Sequence, residues 1–93
     1  MKPKFAFIYF SDGCHPEAQQ ALVTGPACDT WVVGVSSFDE AREQAIRFAA
    51  EGCASLEFCG AFDNADFLAS VRAVVDEKVA IGAVRLDHPP AFS

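Results

Sequence analysis

Basic residues are scarce in this chain, and the few present stand apart. Lys2, Lys4, Arg42, Arg47, Arg72, Lys78 and Arg85 face thirteen acidic residues, for a formal charge of −6. Nucleic-acid binding starts from phosphate neutralisation along a basic stripe, so a nucleic-acid partner is not expected. The same balance argues against an anionic membrane surface. Long apolar runs are also missing. The stretch that ends "FAFIYF" at Phe10 falls well short of the roughly eighteen residues of a membrane span. It lacks the small-residue cleavage site of a secretory leader as well, and a cytoplasmic protein is expected. Cys14, Cys28, Cys53 and Cys59 show neither C-x-x-C spacing nor a paired histidine motif, so free, reduced thiols are expected. "CGAFDN", residues 59–64, matches neither a dinucleotide fingerprint nor a P-loop, and no cofactor is implied. Repeats, linkers and low-complexity tracts are absent.

What is present is apolar. The 52% hydrophobic content, with nine phenylalanines, belongs to a chain that folds around a core. Ninety-three residues suffice for one domain and not for two. "KFAFIYF", residues 4–10, is apolar on both faces, as a buried central strand would be. Pro16 suits the first turn of a short helix through "PEAQQALV", ended by Gly25-Pro26. "TWVVGVS", residues 30–36, is a second strand. "SFDE" follows it as a capping box, with Ser37 bonding the Glu40 amide and Glu40 reaching back. Phe38, Ala41, Ala45, Phe48 and Ala49 then recur at helical spacing over residues 38–51, with Gly52 at C′. A third strand is expected near residues 54–59, and a second helix capped by Asp63 or Asn64, with a stripe of Phe67, Leu68, Val71, Val74 and Val75. "VAIGAV", residues 79–84, is the fourth strand, and "DHPPAFS" closes the chain as irregular structure. Alternating strands and helices from residue 30 imply right-handed crossovers and parallel pairing. The expected fold is a single α/β domain over residues 1–93: a four-stranded, mainly parallel open sheet with two long helices and a short third one.

The segment "VGVSSFDEAREQAIRFAAEGCASLEFCGAF", residues 33–62, resembles a small family of uncharacterised prokaryotic proteins of this length, known only as a domain of unknown function. Gly34 and Val35, Glu51 and Gly52, and Glu57, Cys59, Gly60 and Phe62 carry the resemblance, which centres on a Glu-x-Cys-Gly turn. Loop 11–29 does not share it. The resemblance implies an α/β fold and no particular activity.

Open parallel sheets bind ligands beyond the carboxyl ends of their strands. That edge carries Asp12 after the first strand, Ser36 and Ser37 after the second, Gly60 and Ala61 after the third, and His88 beyond the fourth. These are the expected ligand-binding residues, suited to a small anionic metabolite. Cys59, just before a helix, is a candidate nucleophile or else a small buried hydrophobe. Glu57 poses a sharper question, because a carboxylate between Leu56 and Phe58 must be solvated, paired or kept neutral. It would meet water or a subunit on an open face, pair with Arg85 or Arg42, or act as a general base. The pairs Asp87-His88 and Cys14-His15 have no recognised ligand spacing, and no metal site is expected.

Two functions fit. One is a ligand-binding or assembly module; the other is an enzyme acting on a carbonyl or carboxylate metabolite, with Glu57 as base and Cys59 as nucleophile. A homo-oligomer, most simply a dimer, is also expected. Two amphipathic helices cannot cover both faces of so apolar a sheet, and segment 14–29 and the tail ending in Phe92 are too small to do so.

Overall fold

The computed structural model describes residues 2–90; Phe92 of the tail lies outside them. The chain runs β1 (Lys4–Phe10), β2 (Gln20–Thr24), β3 (Asp29–Val35), α1 (Phe38–Ala50), β4 (Ser55–Phe58), a single 3₁₀ turn (Gly60–Phe62), α2 (Ala65–Arg72) and β5 (Ala80–Ala83). The sheet has five strands in the order β2-β3-β1-β4-β5, not four. β1 is central and parallel to both neighbours, and β4 pairs parallel with β5.

The fifth strand replaces the expected helix over 16–23. Only one turn forms after Pro16, closed by bonds from the Ala18 and Gln19 amides to the His15 carbonyl. The chain then extends as β2, antiparallel to β3, across the loop 25–28 in which the Gly25 amide donates to the Cys28 carbonyl at 2.9 Å. Val23 and Thr24 are β-branched, and pairing with β3 satisfies five residues of backbone that an isolated two-turn helix could not hold. This strand also carries the chain back from β1, so β1 and β3 run parallel with no helix between them.

Helix α1 begins as its sequence dictates. The Ser37 hydroxyl accepts from the Glu40 amide at 3.0 Å. The return contact differs by one residue from the expected box: Glu40 accepts from the Ser36 amide and hydroxyl at 2.8 and 2.9 Å. The helix ends at Ala50 with Glu51 as its C-cap, and Gly52 follows with a φ of +92°, the left-handed conformation glycine adopts without strain. Asn64 rather than Asp63 caps α2, accepting from the Phe67 amide at 2.9 Å. The helix stops at Arg72, short of Val74 and Val75.

Both helices lie on one face of the sheet. Ala6, Ile8, Val33, Val35, Leu56 and Phe58 point into them and are fully buried. Each of these side chains larger than alanine contributes about 1.5–3 kcal/mol. Phe48 packs on Trp31 at 5.6 Å and Phe67 on Phe58 at 5.2 Å between ring centroids. Arg42 ties the helices together, its Nε donating to the Ser70 hydroxyl at 3.0 Å. The alternate side chains of the strands point the other way. Ala21, Val32, Phe7, Glu57 and Gly82 stand side by side across that second face, which no helix or strand among the described residues covers. Among the described residues, no helix is long and apolar enough to cross a membrane.

Candidate functional site

The segment after β4 is shaped by one side chain. Phe62 is fully buried, with Phe67, Phe38 and Phe58 at 5.1, 5.5 and 5.6 Å. Anchored by that ring, the backbone of 59–62 folds into the 3₁₀ turn, closed by the Phe62 amide donating to Cys59 and the Asp63 amide to Gly60. The turn lies against the end of β5, where the Val84 amide donates to the Phe58 carbonyl at 2.9 Å. A Cβ on Gly60 would come within 3.3 Å of the Val84 carbonyl oxygen, so the close approach favours glycine.

Between this turn and the chain leaving β5 lies a cleft of about 660 Å³. Cys59, Gly60, Ala61 and Asp63 form one wall, and Val84 to Pro90 the other. The walls are tied by a two-point fork: Arg85 Nε and Nη2 donate to Asp63 Oδ2 and Oδ1 at 2.9 and 3.1 Å. That hydrogen bond, and then the guanidinium charge, hold the Asp63 carboxyl below its usual range. Cys59 is half-buried, and its Sγ accepts from the Phe10 amide at 3.2 Å. It precedes a three-residue turn, and α2 starts beyond it at Ala65. His88 stands at the mouth, its Nε2 3.5 Å from Asp87.

Cys59, Gly60, Ala61 and His88 therefore meet in one place, while Asp12, Ser36, Ser37 and Glu57 do not join them. Asp12 lies in the exposed turn after β1. Ser36 and Ser37 spend their polar groups on the start of α1. There Ser36 and, at 3.5 Å, the His15 ring hold Glu40 below the usual carboxylate range. Glu57 lies in a second groove of about 360 Å³ between β4 and β5. It is exposed on the uncovered face, beside Gly82. Of the three alternatives for it, the arginine pairing does not form, because Arg85 is taken by Asp63 and Arg42 by Asp39 and Ser70. Solvent answers for this carboxylate in the single chain. Among the described residues, no three His, Cys, Asp or Glu side chains converge as a metal site would require.

The cleft also contains residues that no sequence motif marks. In the sequence Asp63 suggests only a helix cap, and Pro89 and Pro90 belong to the irregular chain end. The signal that could have found them is the meeting of an acid after the third strand with Arg85 after the fourth. Adjacent parallel strands bring those two positions to the same edge.

A family model described as a family of unknown function (DUF6506) matches residues 3–93. The chain belongs to that family. No curated protein and no solved structure matches it. In this DUF6506 member the match takes in loop 11–29 as well as the central helix and turn.

Proposed function

We propose that this chain is a ligand-binding module that holds a small metabolite with a carboxylate or carbonyl group in the cleft beyond β4 and β5. The observation that carries the reading is the cleft itself. Its volume, about 660 Å³, lies within the range of small-molecule sites. Its lining is mostly apolar, with a few convergent polar groups: the Arg85 guanidinium held by Asp63, the Cys59 thiol and the His88 ring. Its position at the carboxyl ends of parallel strands is where such sheets bind ligands. An enzyme working through Glu57 and Cys59 together would need both in one pocket, and they lie in different grooves. That separation favours binding over the paired acid–thiol mechanism.

The test is thermal unfolding in the presence of small carboxylic and oxo acids, for wild type and Arg85→Ala. A ligand at a hundredfold its dissociation constant stabilises the folded state by about 2.7 kcal/mol. Stabilisation of the wild type that Arg85→Ala loses supports the cleft. Absence of stabilisation across the set, or stabilisation equal in the variant, counts against it.

A further inference from the structure

We infer that the uncovered sheet face is closed by the same face of a second copy, related by a twofold axis that runs along β1. This inference is independent of the cleft.

Size gives the first reason. A folded monomer of 10.0 kDa is expected to expose about 5,200 Å². This chain exposes 5775 Å². The excess of roughly 500 Å² is a property of the whole chain surface, to which the half-buried Phe5, Phe7 and Tyr9 of the open face contribute.

Chemistry narrows the occupant. Phe5, Phe7 and Tyr9 alternate with the buried Ala6 and Ile8, and so form an aromatic strip down the middle of the face. Aromatic sheet faces that stack nucleic-acid bases are accompanied by cations. Here the open-face positions of the strands carry no lysine or arginine and include one acid, Glu57. The face is suited to another apolar surface.

Shape then selects a second copy. On one side of the strip Val23, 60% exposed, and Val32 stand up from β2 and β3. On the other side Ala80 and Gly82 barely rise from β5, which leaves the groove of about 360 Å³ beside Glu57. Rotation about an axis along β1 lays the raised half of each copy over the shallow half of its partner, so one operation fills both grooves. The same rotation sets Glu57 over the partner's β3 at the height of Val32, since both residues pair with Phe7 of β1.

Sedimentation equilibrium of the full chain, at micromolar to tens of micromolar concentration, tests this with three single variants at tolerant positions. Val23→Glu puts a charge on the raised half. Gly82→Gln fills the groove, at a site where an added Cβ meets nothing within 4 Å. Ile46→Glu alters an exposed position on α1, away from the face. The wild type and Ile46→Glu should sediment at twice the chain mass. Val23→Glu should raise the dissociation constant by about a hundredfold, the effect of burying one unpaired charge. Gly82→Gln should weaken the dimer too, with circular dichroism of both variants unchanged. A wild-type mass of one chain throughout overturns the inference. So does a dimer that survives both face variants, or one that Ile46→Glu dissolves.

Discussion

Replacing Phe62 by alanine tests whether one ring holds the turn that forms the cleft wall. The side chain is fully buried and packs against four other phenylalanine rings, with centroids 5.1 to 6.3 Å away. Truncating a buried phenylalanine loses its transfer free energy and leaves a cavity, together about 3–5 kcal/mol. A chain of this length has a total stability of roughly 5–14 kcal/mol. The variant should therefore fold with a small margin, and its melting temperature should fall by about 15–30 °C. Urea unfolding measures the loss directly, through a lower midpoint at an unchanged slope. Phe10→Ala is the internal control. That ring touches Phe62 edge-on at 6.3 Å but is 40% exposed, and its removal should cost only about 1 kcal/mol. A loss in Phe62→Ala no larger than in Phe10→Ala would refute the anchoring role. Because Cys59, Gly60 and Ala61 reach the cleft through the same turn, the variant should also lose any stabilisation by ligand.

Ser37→Ala should destabilise the chain by about 1 kcal/mol in the same assay, since it removes the side-chain cap of α1 and leaves the Glu40 amide unpaired. Gly34→Ala should cost about 1–3 kcal/mol, because the new Cβ would come 2.7 Å from the Tyr9 ring; the tyrosine emission should change with it. Glu40 and Asp63 are both held below the usual carboxylate range, by the Ser36 amide first and by the Arg85 hydrogen bond first, respectively. A lowered folded-state value means their stabilisation is complete above the unfolded value of about 4 and is lost as pH falls through the folded value. Glu40→Gln and Asp63→Asn should thus be less stable than wild type at neutral pH, and urea midpoints should converge with wild type in strong acid. In native alkylation Cys53 should react slowest of the four thiols, since it is buried and burial pushes its thiol up.

Much of the fold was legible because its signals are local. Ser37, Glu40 and Gly52 mark both ends of α1 within sixteen residues, and a helical stripe lies between them. The continuous apolar runs found β1, β3, β4 and β5 to within a residue or so at each end. β2 escaped because "QALVT" is too short for periodicity to separate strand from helix. Pairing with β3 decides it, and pairing is a tertiary effect that propensity does not carry. The site divides along the same line. Cys59, Gly60, Ala61 and His88 could be placed at one edge by counting strand ends. Ser36 and Ser37 stand at that edge too, but capping consumes their polar groups. For Glu57, between the apolar Leu56 and Phe58, the sequence leaves solvent, an ion pair and a general base all open. In a strand those neighbours point to the opposite face, and what covers Glu57 depends on which side the helices take.

Amide-resolved NMR of the full chain, titrated with small carboxylic and oxo acids, tests the cleft most directly, because it reports where a ligand sits as well as whether it binds. Shifts that saturate and cluster at Gly60, Ala61, Asp63 and the amides from Arg85 to His88 are the predicted result. Shifts confined to Phe5, Phe7 and Tyr9 on the uncovered face, or none from any of the acids, would contradict it.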